Sequence, residues 1–175
     1  MQLLDFQGVM FATEVENHAE IKQDVLHRIA EMGTYGFINK EQSLFSTDYL
    51  LSPMIPRLYV PAIQYAVGTH NKCVLQELDS RPSAEMKVTE IWYQQYKSND
   101  FHDWHSHPDC TLSNVYFVDL PEDAPKTMFR LGGKEFEVPI KEGMILTFPS
   151  YLMHRSPPNK SEHMKTVISY NSQVV

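Results

Sequence analysis

Two hydrophobic periods divide the chain. In its first part, Ile21, Val25, Ile29 and Met32 recur at helical spacing, which predicts an amphipathic helix over 18–32. Asn17, with Glu20 three residues on, has the form of a capping box at its start, and Gly33 is a natural stop. A short strand is expected over 6–11, and a loop with one short strand over 34–53. Pro56 and Pro61 lead into a second helix over 57–77, since proline is tolerated in a first turn. The stretch DSRPSA, 79–84, is a short connector.

From Met86 onward the period falls to two. Val88, Glu90, Trp92, Gln94 and Tyr96 share one face of a strand, and Thr89, Ile91 and Tyr93 the other. After a turn over 97–100, the stretch FHDWHSHPDCTLSNVYFV, 101–118, reads as a strand pair broken near Pro108. A hairpin follows over 128–138, turning through Gly132, Gly133 and Lys134. GMILTF, 143–148, is a buried strand and 166–171 a terminal one. Helices first and short strands afterwards describe an α+β chain whose second half is a sandwich or barrel.

Composition narrows the function classes. At 175 residues the chain is expected to be one domain, with a helical flank over about 1–80 and a β core over about 85–175. A net charge of -7 with no basic cluster argues against a nucleic-acid partner. No apolar run approaches the ~20 residues of a membrane span, and the first residues do not resemble a secretory signal. Two cysteines, Cys73 and Cys110, fit a reduced, cytoplasmic protein better than a disulfide framework.

The chemistry concentrates in two segments. His105, His107 and Asp109 are spaced to project from one face of a strand. His154 follows an apolar run and a proline bend in FPSYLMHRSPPN, a position suited to a barrel mouth. Imidazole serves iron, zinc, copper and nickel alike, and two histidines with one carboxylate suit non-heme Fe(II). By alternation His102 faces away from His105. Trp92, Tyr93, Trp104 and Tyr116 are candidates to line a cavity there, while His18 and His27 read as surface or boundary residues of the first helix, and His70 and His163, without a partner pattern, as structural.

The runs WHSHPDCTLSNVYFVDLP, GMILTFPSYLMHRSPPN and KTVISYN together resemble the 2-oxoglutarate/Fe(II)-dependent oxygenases of bacteria and phages. That family shows an H-x-H-P stretch leading into an lSGvyYl strand, then FPswLxH, then RxsiSfN; the match covers roughly residues 86 to 171. The resemblance implies a double-stranded β-helix, or jelly roll, flanked by N-terminal helices. It further implies ferrous iron and 2-oxoglutarate as a small-molecule co-substrate, oxidised to succinate as an unidentified primary substrate is hydroxylated. His105, His107 and His154 fall on the family's metal-ligand positions. Lys165 stands where the family has an arginine for the distal carboxylate of 2-oxoglutarate; Ser169 and Asn171 match the end of that motif, and Tyr116 a strand position that often bonds the same carboxylate. Strand alternation puts Lys165, Val167, Ser169 and Asn171 on one face, so the ammonium is expected inside.

The chain departs from the family in three places. Lysine gives the carboxylate a point charge instead of a bidentate fork. Asn114 replaces a glycine. Asp109 offers a second register, His107-Pro108-Asp109, as an alternate ligand or as a carboxylate behind the ligands. Two other readings compete: a cupin-like three-histidine dioxygenase without 2-oxoglutarate, against which the absent glutamate at Thr111 or Leu112 counts, and a non-enzymatic jelly-roll binding module. Specificity is expected in the loops, 34–56 and 97–104.

Overall fold

A computed structural model describes residues 9–78 and 83–175. Helix α1 spans His18–Met32, and α2 spans Val60–Glu77 with Pro61 in its first turn. No helix among the described residues is long and apolar enough to cross a membrane. The capping box does not form. Asn17 sits at φ 54°, in the left-handed region, and its backbone carbonyl alone receives the N–H groups of Glu20 and Ile21.

Twelve strands follow the order β1 Phe11–Glu14, β2 Phe37–Ile38, β3 Gln42–Leu44, β4 Ser46–Thr47, β5 Met86–Tyr96, β6 Phe101–His105, β7 Leu112–Asp119, β8 Met128–Leu131, β9 Lys134–Glu137, β10 Met144–Pro149, β11 Met153–Ser156 and β12 Lys165–Val174. The strand expected over 6–11 begins only at Phe11; residues 6–8 lie outside the described ones, as do residues 79–82 of the connector. The expected loop over 34–53 contains three short strands, too brief for a period to register. The β8–β9 hairpin turns through Gly132 and Gly133 alone, at φ 57° and 79°, with Lys134 already paired to Leu131.

The strands form two antiparallel six-stranded sheets, β1-β10-β7-β12-β5-β4 and β2-β3-β6-β11-β8-β9. Alternation gives the first sheet two apolar faces. Tyr93, Tyr116, Val118, Ile145, Ile168 and Tyr170 pack against Val25, Ile29, Tyr59, Ile63 and Val67, from α1, α2 and the turn before α2. Tyr96, Val115, Phe117, Leu146, Phe148 and Val167 point the other way, toward Leu44 and Phe129 of the second sheet and Leu152 of the turn before β11. The helices thus cover one face, and the space between the sheets, open near β6 and β11, holds the candidate site.

Candidate metal centre

His105 ends β6 and lies directly opposite His154 of β11. His107 follows β6 in a loop tied to the β10–β11 turn: its N–H donates to Ser150 O at 2.9 Å, and Ser150 N–H donates to Thr111 O at 3.2 Å. One ligand atom from each of the three rings lies within 4.8 Å of the others. His154 Nδ1 donates to Leu152 O at 2.9 Å and His105 Nδ1 to Asp103 O at 2.7 Å. Each bond places the ring proton on Nδ1 and leaves the Nε2 lone pair free, the arrangement a metal needs. Burial, and then the neighbouring rings, hold His107 down to about 4 and His154 well below its ordinary value; burial lowers His105 as well. The three rings are therefore neutral near pH 7, as ligands must be. Three neutral imidazoles fit a divalent transition metal.

His102 overturns the expectation from alternation. It pairs with Ser156 while His105 pairs with His154, so β6 spends one more residue than β11 between the two pairs. This bulge reverses the parity of the strand. The rings of His102 and His105 stack 3.7 Å apart at 11°, and His102 borders the same cavity as the three candidate ligands.

Two other sequence-based assignments need correction. Tyr116 lies on the helix-facing side of β7, fully buried, with its hydroxyl bonded to His18 Nδ1 at 2.8 Å; it does not border the cavity. The residue's strand was legible, but which face meets the helices depends on packing. Asp109 is exposed in the turn after Pro108 and stands outside the histidine group. Of the four aromatic candidates only Trp92 lines the cavity. Tyr93 belongs to the helix-side core, and Trp104 lies under the guanidinium groups of Arg130 and Arg155.

The β12 assignments hold their expected side. Lys165, Val167, Ser169 and Asn171 all border the inner cavity, a narrow space of about 40 Å³. Lys165 is 1 % exposed, and its ammonium donates to Pro125 O at 2.9 Å and Ser156 Oγ at 3.1 Å. No carboxylate among the described residues pairs with it, and burial lowers it to about 7. Ser169 Oγ donates to Gln94 Oε1 at 3.2 Å, and Asn171 Nδ2 to Glu90 Oε2 at 3.0 Å. Sequence reasoning missed Tyr96 and Ser156, which flank Lys165: the ammonium lies 5.3 Å from the centre of the Tyr96 ring. The even-numbered face of β5, Trp92, Gln94 and Tyr96, carried the signal.

No family model matches the chain, and no curated protein sequence does. Solved structures match over nearly its whole length. A prolyl-4-hydroxylase from Pseudomonas putida superposes with a TM-score of 0.67 at 14 % identity, covering 95 % of this chain and 92 % of that one. A 2-oxoglutarate-family Fe(II) oxygenase from Burkholderia pseudomallei gives 0.65 at 10 %, covering 89 % and 90 %. A viral collagen prolyl hydroxylase from Paramecium bursaria Chlorella virus-1, in complex with 2-oxoglutarate, gives 0.60 at 13 %, covering 93 % and 94 %. The chain has the jelly-roll fold of these oxygenases. At such identities the likeness extends to the fold, and the chemistry is argued from this chain's own side chains.

Proposed function

We propose that the chain is a single-domain, non-heme Fe(II)- and 2-oxoglutarate-dependent oxygenase that hydroxylates a primary substrate with release of succinate and CO2. One pairing carries this reading: three neutral histidines with converging lone pairs, and a buried lysine without a carboxylate in the same cavity. Iron, when bound, supplies the activation of oxygen and the oxidation of the co-substrate. His105, His107 and His154 would hold it, and the hydrogen bonds to Asp103 O and Leu152 O keep two of the rings turned for ligation. Lys165 holds the far carboxylate of 2-oxoglutarate. A buried ammonium without a counter-ion is costly, and a dicarboxylate supplies the missing charge. Tyr96 and Ser156 shape that end of the pocket, while Phe148 and Phe129 keep water from the back of His154. Both cysteines are free, in keeping with a cytoplasmic, reducing setting.

The test is succinate formation from 2-oxoglutarate by the iron-loaded protein, measured with and without oxygen. Oxygen-dependent succinate supports the reading. Its absence, with Fe(II) bound and Lys165→Met without effect on 2-oxoglutarate affinity, favours the three-histidine dioxygenase.

A further inference from the structure

Hydrogen bonding divides three of the four imidazoles of the centre into two kinds. His105 and His154 give their Nδ1 protons to backbone carbonyls and keep lone pairs at Nε2. His102 is held the other way round. Gln94 bridges Ser169 and His102: Ser169 Oγ donates to its Oε1, and its amide nitrogen meets His102 Nδ1, both at 3.2 Å. A neutral imidazole that accepts at Nδ1 carries its proton at Nε2. His102 therefore presents an N–H where its neighbours present lone pairs. Among the described residues nothing accepts that proton, and the nitrogen is not sealed from the cavity.

His102 also forms part of the wall between the inner cavity and an outer one of about 230 Å³. Phe37, Leu44, Tyr49, Leu50 and Trp92 line the outer cavity beside polar groups that include Gln42, Thr47 and the candidate ligands His105 and His107, and no carboxylate, ammonium or guanidinium borders it. Tyr49 and Trp92 meet edge to face, with ring centroids 5.2 Å apart. Away from the metal ligands, an ion entering this space would lose its hydration with no opposite charge to meet it. A neutral group with an apolar or ring-shaped body would gain contact with these walls and need only one acceptor for the waiting N–H.

Resting on the oxygenase reading, we propose that His102 is a substrate-positioning donor, and that the group presented to the metal centre is uncharged, apolar or aromatic in body, and marked by a neutral carbonyl oxygen. The Ser169–Gln94–His102 chain fixes the donor, and the β6 bulge brings it to the boundary between the two cavities.

Two measurements on the full chain test this. Long-range proton–nitrogen NMR of isotope-labelled histidine in the metal-free protein should find the His102 proton on Nε2. In Gln94→Glu it should move to Nδ1, because a carboxylate can only accept. Binding is then compared for three matched probes: N-acetylphenylalaninamide, which is neutral, N-acetylphenylalanine, an anion, and phenylalaninamide, a cation. The neutral probe should bind best. His102→Phe, which keeps a ring against His105 but removes the donor, should weaken it about tenfold, ~1.4 kcal/mol. The Gln94→Glu protein should show the same loss. A wild-type proton on Nδ1, no binding of the neutral probe, equal binding of the charged ones, or equal binding to His102→Phe would each overturn the proposal. Formation of the Fe(II)–2-oxoglutarate chelate, followed anaerobically by its charge-transfer absorption, is a separate arm. Its failure with the other results intact removes the oxygenase reading and leaves the His102 donor standing.

Discussion

His70 and His154 are both buried, 1 % and 6 % exposed, on opposite sides of the first sheet, His70 on α2 and His154 on β11 of the second sheet. Their surroundings differ in what they leave over. His70, on α2, accepts from Thr13 Oγ1 at Nδ1, 2.7 Å, and donates from Nε2 to Thr147 Oγ1 at 2.6 Å. Thr147 passes its own proton to Asn114 Oδ1, and Asn114 Nδ2 donates to Tyr170 O and Ser172 Oγ, both at 3.0 Å. Every polar atom in that chain has a partner, so His70 ties α2 to β1, β10 and β7. This also gives Asn114 a structural role, at a position where the family that the sequence resembles has glycine. His154 and His105 spend one nitrogen each on a carbonyl and leave the other pointing at its neighbours. Burial of histidine alone does not mark a site. Unspent, converging lone pairs do.

The comparison breaks most sharply on metal binding. His154→Ala should reduce Fe(II) affinity by more than the ~10–100-fold typical of residues that only support a ligand, whereas His70→Leu should leave it within about threefold. Anaerobic titration of both variants measures this, and equal losses would remove the distinction.

Acid stability is the next largest effect. Burial lowers His70 from 6.5 to about 4. Between those values the unfolded chain binds more protons at this position than the folded one. Its contribution is therefore complete above about pH 6.5 and is lost as pH falls toward 4, a total of about 3 kcal/mol. Denaturation at about pH 7 and about pH 5 should show a smaller decline in His70→Leu than in the wild type. That variant should also be about 1–3 kcal/mol less stable at neutral pH, because it removes a hydrogen-bond partner from half-buried Thr13 and from buried Thr147.

Lys165→Met should raise the apparent Kd for 2-oxoglutarate by about tenfold or more, ~1.4 kcal/mol, with Fe(II) binding unchanged. Because burial lowers the ammonium to about 7, wild-type affinity should also decline above that pH, and the decline should be absent in the variant. Isothermal titration across pH measures both. The smallest effect belongs to Asp109→Ala. An exposed side chain outside the histidine group should change Fe(II) affinity by less than about threefold; a loss equal to that of His154→Ala would restore the His107–Asp109 register.

Local pattern alone determined a good part of this protein. Helical spacing of Ile21, Val25 and Ile29 placed α1, and a period of two placed β5 and put Lys165, Val167, Ser169 and Asn171 on one face. Those periods are properties of the backbone, and they persist wherever the element is regular. His105, His107 and His154 were legible from their motif context; β6 ends at His105 and is bulged, so no regular period carries on to His107. Tertiary structure decided the rest. The bulge opposite β11 carried His102 to the cavity, because an inserted residue reverses parity and leaves no trace in the pattern of polar and apolar positions. Tyr116 faces the helices because both faces of its sheet are buried, one under helices and one under strands, so hydrophobicity cannot distinguish them. The proposed proton on His102 depends on contacts farther away still, from a serine on β12 to a glutamine on β5, which only the paired strands create.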